Sequence, residues 1–320
     1  MKLLPETKLT QSAKASRWRH FWLIDLLIAM LLFLIAQQIE SLILIPAVVV
    51  WMMSGIEISA LKESGDMSQL FSAVSDLMAH QPDWMALLQL VLTVVVIVVC
   101  IVYCTKLERR PLTSLGFRGK NPVGEYLIGY VLGVLLFTLA WAICLATGTA
   151  KLEPMPSGLP WTIVLFLFAF LIQGLSEETL CRGFLMQTLS ARYAPIVAVA
   201  VNAVFFAALH FANAGLTLLA FCNLFLFGVF ASVYMWKRGS IWGVAALHSA
   251  WNFTQGNLLG IRVSGNVLGP SVLSTSLTEN GAWINGGAFG LEGGLAVTIV
   301  LSLGIVLMLF LPVRKSEAVH

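Results

Sequence analysis

The chain has 320 residues, of which 58% are hydrophobic and only 11% are charged, and its formal net charge at pH 7 is +3. A soluble globular domain carries about 25% charged residues, so this composition excludes an ordinary soluble enzyme and predicts an all-α, polytopic membrane protein. We expect the lipid bilayer as its surroundings and no nucleic-acid partner.

Apolar stretches long enough to cross a membrane recur along the chain. A transmembrane helix needs about 20 mostly apolar residues, and on this rule we predict a bundle of about eight spans. The first begins at Phe21 and ends near Ile45 or continues to Met53, with Pro46 expected to mark a break. The predicted spans cover residues 21–45, 84–105, 126–146, 160 to at least 182, 195–210, 216–236, 241–254 and 291–313.

The distribution of Lys and Arg predicts the orientation of the bundle, because these residues collect in short loops on the cytoplasmic side. They are frequent in the N-terminal tail, after the second, fourth and sixth predicted spans, and at the C-terminus, whereas the opposite side holds only Lys62, Lys151 and Arg262. We therefore predict one membrane domain over residues 1–320 with both termini cytoplasmic. The basic, compact chain favours a bacterial inner (plasma) membrane.

Two long connections are predicted on the outer side. Residues 54–83 are acidic and polar, and residues 255–290 are rich in Gly, Asn and Ser. The second connection is longer than ordinary loops, which indicates a lid or a packed cap.

Two adjacent carboxylates lie inside the fourth predicted span, in the sequence G-L-S-E-E-T-L-C-R of residues 174–182. Charged groups in a membrane are costly and usually functional. Residues four apart share one face of a helix, so Glu178 and Arg182 are predicted to form a structural ion pair. Glu177 is rotated by about 100° from Glu178 and is predicted to face a cavity, either as a general base or as a buried hydrogen-bonded carboxylate.

Two histidines lie in other predicted spans: His210, four residues after Phe206, and His248, four residues before Asn252. A carboxylate and a histidine can deprotonate water, and a histidine with an amide can stabilise an oxyanion. Taken alone, His248 and Asn252 favour the simpler interpretation of an interhelical hydrogen-bonded pair, and the combination with Glu177 and His210 favours chemistry. Glu177, His210 and His248 could alternatively bind a divalent metal such as zinc, and the sequence does not separate these possibilities.

Other hydrolase and nucleotide-binding motifs are absent from the sequence. It contains no H-E-x-x-H, no G-x-S-x-G, no Walker A loop and no G-x-G-x-x-G. Asp25 is the only aspartate well inside a predicted span, which argues against an aspartyl dyad.

The series E-E-T-L-C-R (177–182), F-A-A-L-H (206–210) and H-S-A-W-N (248–252) resembles the ordered motifs of the CPBP intramembrane metalloprotease family. That family includes the CAAX prenyl endopeptidases and the Abi group of bacteriocin-processing or immunity proteins. The resemblance covers residues 110–256, the predicted catalytic core from the third to the seventh span, and includes the lead-in R-P-L-T-S-L-G-F (110–117).

The resemblance implies roles for the motif residues of a helical membrane endopeptidase. Glu177 and His210 would activate water, and His248 and Asn252 would stabilise the oxyanion. Support for the site would come from Glu178, Arg182 and Phe206. A metal on Glu177, His210 and His248 is left open.

We therefore predict an intramembrane endopeptidase whose substrate is a peptide or a membrane-protein segment. One alternative is a non-catalytic regulator or peptide-binding protein of the immunity type. Another is a transporter with Glu177 as its proton-coupling carboxylate, although the lack of an internal repeat counts against it.

Overall fold

The computed structural model describes residues 4–55 except 17 and 19, 82–154 except 120, residue 158, and 160–318. Short strands β1 (Ala150–Glu153) and β2 (Ser274–Leu277) pair in antiparallel register. Within the described ranges the α-helices are α1 (Lys8–Ala13), α2 (Trp22–Gly55), α3 (Asp83–Leu92), α4 (Val94–Val102), α5 (Pro122–Ala146), α6 (Thr162–Glu178), α7 (Gln187–Ser190), α8 (Pro195–Ala208), α9 (Leu218–Arg238), α10 (Ile241–Phe253), α11 (Ala282–Asn285) and α12 (Leu295–Phe310).

Some helices continue into a π-helical turn, in which the backbone hydrogen bonds span five residues. These turns cover Tyr103–Leu107 after α4, Thr179–Met186 after α6 and Thr254–Leu258 after α10. The second of them joins α6 to α7, so the chain from Thr162 to Ser190 is one continuous helical rod.

The predicted all-α, polytopic fold is confirmed. In the described part of the chain, five helices are long and apolar enough to cross a membrane: Trp22–Met53, Asp83–Leu107, Pro122–Ala146, Thr162–Ser190 and Leu218–Arg238. The other three predicted spans correspond to the shorter helices α8, α10 and α12. Because α10 has 13 residues it is only about 20 Å long, so the count of eight crossings and the cytoplasmic placement of both termini stay predictions.

Helix α10 lies in the interior and packs against α5 and α6. Two glycines of α5, Gly129 and Gly133, face it so closely that a Cβ atom on either would collide with a backbone carbonyl oxygen of α10. On α6, Gly174 lies so close to Ser249 that a Cβ atom would collide with its hydroxyl oxygen and backbone nitrogen. Small residues at such positions let membrane helices approach each other, and here they bring His248 beside the two adjacent glutamates of α6.

The segment that follows α10 is packed against the helices, and we call residues 259–294 the cap. Its strand β2 pairs with β1. The side chain of Asn257 donates to the carbonyl oxygens of Leu268 and Pro270, and that of Asn285 donates to the carbonyl oxygen of Thr149. Of the two arrangements expected for this region, the structure contains the packed cap.

The predicted break at Pro46 is wrong, because α2 continues to Gly55. Proline removes only one backbone donor, and neighbouring groups and small local adjustments satisfy the freed carbonyl in membrane helices. The predicted outer connection of residues 54–83 falls almost wholly outside the described residues.

Candidate active site

The four predicted catalytic residues line one cavity of about 480 Å³. Glu177 lies at the C-terminal end of α6, and His248 and Asn252 lie on α10. His210 is predicted at the end of the fifth span, but α8 ends at Ala208, so His210 lies in the turn after the helix. The site is therefore at one end of α8, and the remaining walls come from α2, α3, α9 and the cap.

His248 contacts both adjacent carboxylates. Its Nδ1 atom lies 2.8 Å from Oε1 of Glu178, and its Nε2 atom lies 3.8 Å from Oε2 of Glu177. A carboxylate can only accept, so Nδ1 donates to Glu178. The distance from Nε2 to Glu177 is longer than a hydrogen bond of about 2.7–3.2 Å, which leaves a gap between the two groups at the cavity.

The two glutamates are expected to point in different directions, one into the protein and one into a cavity. Their burial differs as expected, but their contacts do not. The side chain of Glu178 is 0% exposed and that of Glu177 is 28% exposed, as their rotation about the helix predicts. Both nevertheless reach His248, because the two nitrogens of one imidazole ring face the two carboxylates.

The ion pair expected from the four-residue spacing is present, with Nη1 of Arg182 2.8 Å from Oε1 of Glu178 and both side chains fully buried. The guanidinium carbon of Arg182 lies 4.4 Å from the ring centroid of Phe206, a cation–π contact. The ring of Phe227 lies 4.9 Å from that of His248 and 5.6 Å from that of Phe206. Aromatic rings thus pack around the ion pair behind His248.

The side chain of His210 bonds to the backbone of the last turn of α8. Its Nδ1 atom lies 2.9 Å from the carbonyl oxygen of Phe206, and because a carbonyl oxygen only accepts, Nδ1 carries the proton. When the ring carries this one proton, its Nε2 atom has a free lone pair. Within the described chain, His210 and Glu177 share the cavity without a direct hydrogen bond or ion pair.

Gln173 is a site residue that the sequence analysis missed. Its Nε2 atom donates to Oε1 of Glu177 at 2.5 Å, and its Oε1 atom accepts from Nδ2 of Asn252 at 3.0 Å. It therefore links two of the predicted catalytic side chains. The four-residue spacing between Gln173 and Glu177 on one helix face is the signal that would have found it, whereas no local signal marks Phe227.

A family model described as type II CAAX prenyl endopeptidase Rce1-like matches residues 159–254. This segment is an Rce1-like domain. It indicates a membrane-embedded protease of the CAAX type. No curated protein and no solved structure gives a significant match to the chain. The broader core of residues 110–256, the Abi assignment and the bacterial inner membrane stay predictions.

The Rce1-like domain contains all seven residues predicted for the site: Glu177, Glu178, Arg182, Phe206, His210, His248 and Asn252. It also contains Gln173 and Phe227. Other parts of the chain complete the cavity, and their polar lining residues are Gln37, Glu40 and Ser41 of α2, Gln89 of α3, Thr93 after α3, and Ser264, Asn266 and Glu292 of the cap.

Glu292 ties the cap to the Rce1-like domain. Its Oε1 atom accepts from Nε1 of Trp251 at 3.1 Å. Its Oε2 atom accepts from the backbone N–H and the hydroxyl of Ser264, both at 2.8 Å, and from Nε2 of Gln255 at 3.3 Å. Both oxygens of the carboxylate therefore accept hydrogen bonds, a structural role that was not predicted from the sequence.

The predicted metal ligands Glu177, His210 and His248 do not form a metal site in this conformation. Among the described residues, no three His, Cys, Asp or Glu side chains are close enough together to bind one ion. The chemistry proposed below therefore contains no step through a metal, and the zinc expectation stays a prediction.

Proposed function

We propose that the protein is an intramembrane endopeptidase in which Glu177 and His210 activate water while His248 and Asn252 stabilise the oxyanion. The observation that carries this proposal is the position of His248, whose Nδ1 atom is fixed on Glu178 and whose Nε2 atom faces Glu177 at 3.8 Å. The gap lies in a cavity of the Rce1-like domain, where a reacting carbonyl group and a water molecule would meet.

Glu177 is the proposed general base. Its Oε1 atom is held by Gln173, whereas its Oε2 atom is buried and has no hydrogen-bond partner. Oε2 takes a proton from the water as the water oxygen bonds to the scissile carbonyl carbon. When the C–N bond breaks, the proton passes to the leaving nitrogen and the carboxylate is restored. The free Nε2 lone pair of His210 accepts a hydrogen bond from the same water and orients it.

Two N–H donors would stabilise the negative charge on the carbonyl oxygen. His248 already donates from Nδ1 to Glu178, so it donates from Nε2 only when the ring carries both protons. Asn252 uses one N–H on Gln173 and keeps the second for the substrate. Donors aimed at a developing oxyanion in a water-poor site account for a large share of catalysis by hydrolases.

The cavity supports a peptide or membrane-protein segment as the substrate. Its volume lies in the range of about 300–1,000 Å³ that is usual for ligand pockets. Leu180, Leu224 and Phe227 give it apolar walls. Gln173, Glu177, His248 and Asn252 form one connected polar group, and α2, α3 and the cap add further polar side chains. A largely apolar segment with a peptide bond placed at the connected polar group matches this lining.

The proposal is tested with the purified full-length protein in lipid nanodiscs, using internally quenched membrane-segment peptides. Wild type is expected to cleave, and Glu177→Gln to lose about 10²–10⁴-fold in kcat with unchanged thermal stability. Glu279→Gln alters an exposed cap glutamate and should cleave as wild type does. Equal cleavage by Glu177→Gln and wild type would disprove the role of Glu177.

A second experiment, in cells, can identify the substrate and distinguish a peptidase from the alternative functions. Mass spectrometry of membrane peptides from cells with wild type and with Glu177→Gln should reveal a fragment that only wild type produces. A folded wild-type protein that cleaves nothing in either experiment supports the non-catalytic peptide-binding alternative. Metal analysis of the purified protein tests the zinc expectation.

A further inference from the structure

The polar residues of α2 have no part in the chemistry proposed above. Gln37 and Glu40 lie in a membrane-spanning helix, and both line the cavity that contains Glu177. Nε2 of Gln37 donates to Oε2 of Glu40 at 3.2 Å. The other carboxylate oxygen, Oε1, is buried and has no hydrogen-bond partner. Glu40 therefore presents an unused acceptor in a part of the chain where polar groups are costly.

The charges around the cavity distinguish Glu40 from the other carboxylates. The lining contains the carboxylates of Glu40, Glu177 and Glu292, and no Lys or Arg among the described residues. Glu292 accepts from four donors, and Glu177 is held by Gln173 beside His248. Glu40 forms no ion pair with any described Lys, Arg or His, and its Oε1 atom accepts from no donor, whereas Glu177 lies 3.8 Å from His248. In the described part of the lining, Glu40 therefore forms an acidic wall without a counter-charge.

This acidic wall belongs to the chain outside the Rce1-like domain. Glu40 and Gln37 lie on α2, well before residue 159 where the match begins. Ser41, Gln89 and Thr93, which also lie outside that domain, add further hydroxyl and amide groups to the cavity lining. The Rce1-like domain thus supplies the proposed chemistry, and α2 and α3 supply a separate surface against which a substrate would lie.

We propose that Glu40 binds a cationic group of the substrate, a Lys or Arg side chain close to the cleaved bond, and so selects a basic position in an otherwise apolar segment. The inference rests on the proposed peptidase function, since it names the substrate feature that this site prefers. A Lys or Arg side chain brings N–H donors to the unused Oε1 atom. It also supplies the counter-charge that a carboxylate in a membrane requires.

Binding is measured apart from cleavage, so that the two proposals can fail separately. The probes are fluorescent peptides of about 20 Leu and Ala residues, each with one Lys at a stepped position, and a matching set with norleucine in place of Lys. Their affinities are measured in nanodiscs for Glu177→Gln and for Glu177→Gln combined with Glu40→Gln. Each peptide partitions into the same lipid with both variants. A change in the ratio of the affinities for the Lys and norleucine peptides therefore reports on Glu40.

We expect Glu177→Gln to bind the best-placed Lys peptide at least about tenfold more tightly than its norleucine partner, the effect of one charge-assisted hydrogen bond. The added Glu40→Gln change should abolish this preference and leave the affinity for norleucine peptides unchanged. Gln38→Ala alters an exposed neighbour outside the cavity lining and should leave the preference intact. Adding Glu40→Lys should reverse it in favour of peptides with Glu at that position.

An unchanged ratio in the Glu40→Gln background would overturn the inference and show that Glu40 only bonds to Gln37 within the helix. The absence of any Lys preference in Glu177→Gln would overturn it equally, even if Glu40→Gln failed to fold. Cleavage of the same peptides by wild type is scored separately. Failure of cleavage with retained Lys preference counts against the peptidase function alone.

Discussion

Atom Nδ1 of His248 lies 2.8 Å from Oε1 of Glu178, and the same oxygen accepts from Nη1 of Arg182 at 2.8 Å. Because His248 is on α10 and Glu178 is on α6, one buried carboxylate oxygen joins two helices at the site. The orientation of the imidazole ring that faces Glu177 therefore depends on an ion pair between the last residue of α6 and the π-helical turn that follows it.

Replacing Glu178 should destabilise the whole protein. In Glu178→Ala the guanidinium of Arg182 would stay buried without its counter-charge, and breaking a buried pair in this way costs about 3–5 kcal/mol. We expect a lower melting temperature and less monodisperse protein on size-exclusion chromatography. Glu177→Gln is the matched control, because its side chain is partly exposed and carries no ion pair with Arg182. Equal melting temperatures for Glu178→Ala and wild type would contradict this role.

Replacing Asn252 should reduce catalysis and leave substrate binding nearly unchanged. Asn252→Asp keeps the shape of the side chain but loses its N–H donors, and loss of one oxyanion donor lowers kcat by about 10²–10³-fold. The measurement is the separate determination of kcat and KM on a cleaved peptide. Asn266→Ala removes another amide that lines the cavity but bonds only to backbone carbonyls of the cap, and it should leave kcat within about threefold of wild type. A rise in KM alone would assign Asn252 to ground-state binding.

The helical period predicts those features of the site that lie within one helix. It places Glu178 with Arg182 and separates the burial of Glu177 from that of Glu178, and the structure contains both features. The same period places Gln173 on the face of Glu177. Gln173 was nevertheless missed, because burying an uncharged side chain in an apolar span costs less free energy than burying a charge and so does not mark the residue as functional.

The spacing of residues along one helix does not predict which residues of another helix they contact. The bond from His248 to Glu178 depends on how closely α10 approaches α6, which is set by small residues such as Gly174 facing Ser249. Helix α2 continues past Pro46, so the presence of a proline does not by itself predict where the helix ends. Packing between elements therefore decides the site geometry that the sequence leaves open.

Gln173 should act as a positioning residue for Glu177 and Asn252. Gln173→Leu keeps a similar volume but removes both hydrogen bonds, so the carboxylate and the amide are free to rotate away from the substrate. We expect kcat to fall by roughly tenfold to a hundredfold, since a small misplacement of reacting groups has effects of this size. KM should change by less than about threefold. Gln173→Glu should be at least as damaging, because it sets a second carboxylate beside Glu177; full activity in both variants would exclude the positioning role.

Glu292 should be required for the cap to stay attached to the Rce1-like domain. Glu292→Ala would leave the donors of Trp251 and Ser264 without their acceptor, while Gln255 would keep its bond to the carbonyl oxygen of Arg262. Each buried unsatisfied group costs about 1–3 kcal/mol. We expect a lower melting temperature and faster hydrogen exchange in residues 259–294 than in wild type. Glu292→Gln should lower the melting temperature less. Its single carbonyl oxygen can replace Oε2 and keep the bonds from Ser264 and Gln255, so that mainly the bond from Trp251 is lost. The exposed cap glutamate in Glu279→Gln serves as the control. If Glu292→Ala showed the exchange pattern of wild type, the cap would be held by its pairing with β1 and the Asn257 and Asn285 side chains, and Glu292 would be dispensable.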